Sequence, residues 1–207
     1  MIENISNKIS CYFQDQLNVD EDDREVIEYG LFVIIGDIFK FITLAILGLI
    51  FGVLKYALII CITFGFFRKF SGGVHATTYK ACMTISMILF IGSSLVIDLI
   101  KDKLNCYNFT VVIGLIVMYS IYMIIRFVPQ DTPNRPIINE LEKNKFKKIT
   151  MILFIVYTML MLISRCFNIG YEVILSSFMG VFIQMILLHP MSYRIVDKFD
   201  NILQGGF

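Results

Sequence analysis

Hydrophobic positions along this chain follow two rhythms. In residues 1–18, Ile2, Ile5, Ile9, Phe13 and Leu17 recur at three- and four-residue steps, with Asn4, Asn7, Lys8 and Gln14 on the other side. That spacing predicts an amphipathic helix, too polar to span a bilayer, which lies flat on a membrane surface or packs on the protein's own core. The acidic run Asp20-Glu21-Asp22-Asp23 follows, and its last members can cap the next helix. From residue 31 the rhythm changes to near-continuous apolar runs at 31–53, 55–67, 82–98, 109–126, 149–164 and 173–189. A span needs about 20 residues to cross ~30 Å of hydrocarbon. Several uncharged cores fall short of that, so flanking Lys and Arg must snorkel or the bilayer must thin. The segment 55–67 reads as a short span, a re-entrant helix or a continuation of the first run beyond Lys55. The pattern predicts an all-α, polytopic integral membrane protein forming a single membrane domain over 1–207. It has about six transmembrane or re-entrant helices, an N-terminal amphipathic interfacial helix and a polar loop at 68–81.

Composition agrees with that class. The chain is 57% apolar and 17% charged, with a mean hydropathy of +0.74. Soluble domains average roughly 45–50% apolar and about 25% charged. Five cysteines, Cys11, Cys61, Cys82, Cys106 and Cys166, are scattered without CxxC spacing, which argues against a disulfide framework or a zinc site. No metal, cofactor or nucleic-acid partner is expected. Polar residues precede the first apolar run, so a cleaved signal peptide is not expected and the first membrane helix serves as the insertion signal.

Orientation follows from the loop cations. With six spans and the N-terminus inside, the inner segments hold Lys8, Arg24, Arg68, Lys69, Lys80, Arg126, Arg135, Lys143, Lys145, Lys147, Lys148, Arg194 and Lys198. The outer ones hold only Lys55, Lys101, Lys103 and Arg165. If the first two segments were one helix the N-terminus would move outside, and loops 68–81 and 126–148 would still face the cytoplasm. Asp37 and Lys40 lie three residues apart inside the first segment, as a pair facing other helices or as a substrate contact.

The candidate chemistry lies in Arg68-Lys69-Phe70-Ser71-Gly72-Gly73-Val74-His75-Ala76-Thr77-Thr78-Tyr79-Lys80, with Cys82 just beyond. A free thiol is only a few per cent ionised at neutral pH; a neighbouring imidazole can take its proton, and surrounding cations favour the thiolate. On a straight helix His75 and Cys82 would share a face but stand ~10.5 Å apart, beyond proton-transfer reach. The chain must fold back between them, or the pair must form across a subunit boundary. Gly72-Gly73 and the β-branched Thr77-Thr78 permit a non-helical path. The bland alternative is a helix-capping His and a Cys that fills core space. His189, before Pro190, reads as interfacial.

Arg68-x3-Gly72-Gly73-x-His75-Ala76-x5-Cys82 resembles the signature of the AgrB family (accessory gene regulator B), bacterial membrane endopeptidases that process quorum-sensing peptide precursors. Val128-Pro129-Gln130-Asp131-Thr132-Pro133-Asn134-Arg135-Pro136-Ile137 is similar to that family's proline-rich loop after the fourth span. The resemblance implies a catalytic pair of His75 and Cys82, supported by Arg68, Gly72 and Gly73. It does not supply a third member to orient His75. Asp131 is a candidate on topology, or else it and the prolines merely fix a turn. The implied activity is cysteine endopeptidase and acyl-transfer chemistry on an AgrD-like precursor, ending in a thiolactone or lactone. The implied setting is the bacterial cell membrane, with the catalytic loop at the cytoplasmic face of a homodimer. Lys143, Lys145, Lys147 and Lys148 could bind the precursor's acidic tail, or simply follow the positive-inside bias and touch anionic lipid. The rival class is a non-enzymatic helical exporter or sensor subunit with a structural His and Cys.

Overall fold

The computed structural model describes residues 2–17, 19–74, 76, 78–130 and 140–203. Among them there is no strand, and the helices run in the order α1 (Ile2–Leu17), α2 (Glu21–Ile50), α3 (Leu54–Ser71), α4 (Tyr79–Ile100), α5 (Cys106–Phe127), α6 (Glu140–Ile163), α7 (Tyr171–Leu187) and α8 (Pro190–Leu203). The chain forms two compact units, Met1–Ile46 and Leu47–Phe207.

In the first unit, polar residues of α1 bond to the acidic start of α2. Asn7 Nδ2 donates to Glu28 Oε2 at 3.1 Å and Gln14 Nε2 to Glu21 Oε2 at 3.0 Å. Arg24 pairs with Glu21 and Glu28, both at 2.7 Å. Ile5, Phe13 and Leu17 stay exposed, so most of the apolar stripe of α1 is left for another surface. Asp37 and Lys40 do pair, at 3.3 Å, with the Asp37 side chain largely exposed.

In the second unit, α2 ends in a turn at Gly52 (φ 70°), where the Val53 amide returns to the Gly48 carbonyl at 2.8 Å. The runs 31–53 and 55–67 are therefore separate helices. The centre is α3 against α7, the most extensively packed pair of elements. Gly180 on α7 makes this possible, since a Cβ there would lie 2.5 Å from the Ile60 carbonyl oxygen. Thr63 and Ser177 bond across the interface at 3.1 Å, and the Tyr157 hydroxyl of α6 donates to Ser177 at 2.7 Å. Towards the C-terminal ends of α3 and α7, Phe67, Met123, Ile124, Val128, Phe154, Val181, Met185 and Leu188 form one apolar cluster from α3, α5, α6, α7 and the residues just after α5 and α7.

Four helices among the described residues are long and apolar enough to cross a membrane: α2, α5, and α4 and α6, each of the last two with the short turn after it. A fifth results if α7 and α8, bent by 83°, count as one broken span. The 18-residue α3 carries Lys55, Arg68 and Lys69 and is not among them. Exposed Ile, Leu, Val, Phe and Met side chains cover α2, α5 and α6, as on helices that meet lipid. The protein is helical and membrane-embedded.

The helix α8 is not anticipated by the apolar runs. Its signal is local: Pro190 suits a first helical position, and Met191, Ile195, Phe199 and Ile202 recur at three- and four-residue steps.

Candidate active site

The chain stops being helical where the glycines fall. α3 ends at Ser71, and Gly72 (φ 73°) and Gly73 (φ 131°) take backbone conformations that side chains oppose. Residues 72–74 and 76 are not helical, and helix resumes at Tyr79. The separation expected of a continuous helix between positions 75 and 82 therefore does not apply. His75 itself lies outside the described residues.

Three neighbours hold this break. Gln184, fully buried on α7, donates through Nε2 to Ser71 Oγ at 2.8 Å and to the Gly72 carbonyl at 2.6 Å. Its Oε1 accepts from Arg68 Nη1 at 3.4 Å, and Arg68 Nη2 donates to the Val74 carbonyl. Arg68 thus spans the break from its helical side to its far side. Burial pulls the guanidinium below its usual range, while Cys82 and Tyr193, as anions, act in the opposite sense. An arginine remains charged through such a shift. Its carbon also lies 5.4 Å from the centre of the Phe64 ring.

The second neighbour is the chain after α5. The Gln130 amide donates to the Ser71 carbonyl at 3.1 Å, and a Cβ on Gly72 would stand 2.3 Å from the Gln130 carbonyl oxygen. Backbone meets backbone here, so the position admits only glycine. The glycine-containing stretch and the proline-rich stretch, far apart in sequence, therefore touch at Gly72 and Gln130. Asp131 lies outside the described residues. The Tyr193 hydroxyl of α8 donates to Gln130 Oε1 at 3.3 Å.

The third neighbour is Asp200 of α8, which is 2% exposed and accepts from the Thr78 hydroxyl at 2.6 Å and the Thr78 amide at 3.3 Å. Thr78 is extended and caps α4, its Oγ1 accepting from the Ala81 amide at 3.3 Å. Half-buried Cys82, which is not in a disulfide, lies in the opening turns of α4, and its amide donates to the Thr78 carbonyl at 3.0 Å. A groove of about 490 Å³ runs along α4, lined by Tyr79, Lys80, Met83, Thr84, Met87 and Ile88.

Lys143, Lys145, Lys147 and Lys148 all lie in the first half of α6. Lys145 and Lys148 are exposed and Lys143 is half-buried. Lys147 Nζ donates to the Ile125 carbonyl near the end of α5, where helix carbonyls lack partners. His189 Nδ1 accepts from the Met191 amide at 3.2 Å, inside the bend between α7 and α8. Among the described residues no group of three or more His, Cys, Asp or Glu could hold a metal ion.

Gln184, Tyr193 and Asp200 stand outside both motif stretches, whereas Gln130 and Thr78 fall within them without a role assigned. Gln184 had a signal, since an amide between Ile183 and Met185 in an otherwise apolar run must find buried partners. Asp200 had none.

Residues 6–188 match the family model described as accessory gene regulator B. An AgrB-like protein of Clostridium perfringens strain SM101 is 31% identical, covering 98% of this chain and 100% of that protein. An AgrB-like protein of Clostridium perfringens strain 13 has the same identity and coverage. One of Listeria innocua is 25% identical over 89% of this chain and 86% of that protein. No solved structure matches. On the span of that family model and on full-length relatives of this identity, the chain belongs to the accessory gene regulator B (AgrB) family.

Proposed function

We propose that this protein is a membrane cysteine endopeptidase that removes the C-terminal tail of an AgrD-like precursor by acyl transfer through Cys82. Family membership supports a part in agr quorum-sensing peptide processing. The observation that carries the finer reading is the break between α3 and α4. It is a non-helical segment pinned by Gln184, Arg68 and Gln130, and it leads directly to the half-buried thiol of Cys82 at the start of α4.

The reaction runs in two transfers. His75 takes the Cys82 proton, and the thiolate attacks the carbonyl of the scissile peptide bond. The C–N bond breaks, His75 returns the proton to the departing amine, and the tail leaves with a free amino group. The remaining peptide stays on Cys82 as a thioester. A Cys, or a Ser, within the substrate then attacks that carbonyl, closes a thiolactone or lactone and returns the proton to Cys82. Exchange of one thioester for another nearly conserves bond energy, so thiolactone closure requires no ATP. Ring closure wins over hydrolysis when water is kept from the acyl-enzyme, and a site at a membrane edge suits that need.

Negative charge on Cys82 would favour the charged form of the Arg68 guanidinium. The groove along Tyr79, Met83 and Met87 offers an apolar track on the helix that carries the nucleophile, on a different face from Cys82. We place the loop at the cytoplasmic face, with Lys143, Lys145, Lys147 and Lys148 on α6 meeting the acidic tail and with two copies forming a homodimer. Asp131 is proposed as the group that orients His75.

The test is co-expression with an epitope-tagged AgrD-like precursor. Tail release should be abolished in Cys82→Ala and in His75→Ala, with both proteins present in the membrane at wild-type levels. Wild-type enzyme quenched in acid should carry the peptide on Cys82 by mass spectrometry. Continued cleavage by Cys82→Ala would end the proposal.

A further inference from the structure

Asp200 lies beyond residues 6–188, the part of the chain that matches the family, and far from both motif stretches in sequence. It is nonetheless buried against the start of α4. The sharp bend after α7 turns α8 back across the bundle, and ten residues after Pro190 the helix presents this carboxylate to Thr78. One carboxylate oxygen accepts both the Thr78 hydroxyl, at 2.6 Å, and the Thr78 amide, at 3.3 Å. The shorter contact has the length of a bond between a hydroxyl and a charged oxygen.

Thr78 is where this matters. Its hydroxyl receives the Ala81 amide, and its carbonyl receives the Cys82 amide at 3.0 Å. Thr78 also ends the non-helical segment, three residues after His75 and four before Cys82. A group that locks Thr78 therefore fixes two things at once: the start of the helix carrying the thiol, and one end of the segment carrying the imidazole. The other end is already held by Gln184 and Arg68. Misplacing a catalytic group by about 1 Å can cost on the order of a hundredfold in rate.

We propose that Asp200 is a positioning residue for the acyl transfer through Cys82, on which reading it rests: through Thr78 it holds the helix start and the loop end in register. In this role Asp200 acts through Thr78 rather than on the substrate. The Thr78 hydroxyl is its lever, and the conservative Thr78→Ser keeps that lever while Thr78→Val removes it.

The experiment uses the full chain in liposomes with a tagged AgrD-like precursor, and reads kcat and KM for tail release. Asp200→Asn and Thr78→Val should each lower kcat roughly tenfold to a hundredfold, the scale of one hydrogen bond to a charged group. KM should stay within about twofold, since differences in the transition state alone fall on kcat. Thr78→Ser should recover most of the rate, and Asp200→Asn with Thr78→Val together should be no slower than the slower single variant. Wild-type kcat in Asp200→Asn, or full additivity of the two losses, overturns the assignment. If Asp200→Asn fails to accumulate, the Thr78 pair decides: loss in Val with rescue in Ser supports it, and an active Val or a dead Ser overturns it. Cys82→Ala, run alongside, separates the two levels. Cleavage by that variant defeats the enzyme reading itself, whereas an inactive Cys82→Ala beside a fully active Asp200→Asn defeats only the role of Asp200.

Discussion

Two hydrogen-bonded clusters bridge α3 and α7, the first of them joined by Tyr157 of α6, and they differ in kind. Near the middle, Thr63, Ser177 and Tyr157 join three neutral hydroxyls from side chain to side chain. At the end, Arg68 and Gln184 bond to the Val74 and Gly72 carbonyls of a chain that has left the helix, and Gln184 also joins Arg68 to Ser71. The first cluster links helices that would keep their shape without it. The second holds the path of residues 72–74, because Arg68 and Gln184 bond directly to the Val74 and Gly72 carbonyls on it. Glycine serves both, with different consequences. Gly180 lets two helices approach, while Gly72 lets a strained turn pass beneath the Gln130 carbonyl. Damage at the middle should therefore appear as lost stability, and damage at the end as lost reaction geometry.

Gly72→Ala should break the end cluster most severely. The new Cβ meets the Gln130 carbonyl oxygen at 2.3 Å, in a conformation that costs a side chain on the order of 1–3 kcal/mol before any clash is counted. We expect tail release to fall by at least about a hundredfold, with helical circular dichroism unchanged. Equal loss of helix and activity would erase the distinction between the clusters. Gln184→Leu comes next. It removes the donor to Ser71 and Gly72 and the acceptor for Arg68, so buried polar groups lose partners at about 1–3 kcal/mol each. Activity should fall roughly tenfold or more, and Gln184→Glu, which keeps an acceptor for Arg68, should lose less.

Gly180→Ala tests the other cluster. A Cβ 2.5 Å from the Ile60 carbonyl must push α3 and α7 apart, at a cost of about 1–3 kcal/mol in stability. The midpoint of thermal unfolding in detergent should drop, while the surviving protein turns over at a near-normal rate per folded molecule. Smallest of all is Tyr157→Phe, which removes one hydroxyl bond to Ser177 and should cost about 1 kcal/mol with kcat and KM unchanged. A fall in kcat there would mean that the two clusters act as one.

The helical class was legible because apolar runs and amphipathic spacing are local properties of the chain. The turn at Gly52 settled what those runs left open at Lys55, since a pattern of apolar residues does not say whether two runs share one helix. The helix α8 escaped because its periodicity is diluted by Arg194, Asp197, Lys198 and Asp200. Around the candidate site, Arg68, Gly72, Gly73 and Cys82 could be picked out together because they crowd into fifteen residues. Gln130 could be named only as part of a second, separate motif. Nothing in either motif says that they meet, since that contact depends on the route taken by α4 and α5 between them.

Which residue types occur, and how often apolar ones recur, was enough to define a lipid-embedded helical protein with a polar, glycine-broken segment leading to a cysteine. Those features need only neighbours in the chain, because helix formation, chain breaking at glycine and partition from water are decided over a few residues to about twenty. Partnership across the bundle is another matter. Gln184 beneath Gly72, Asp200 against Thr78 and Gln130 above the glycine turn all depend on the crossing of α3 with α7 and the 83° bend into α8. A buried polar group must find its complement somewhere, and only the folded arrangement of helices selects which residue that is.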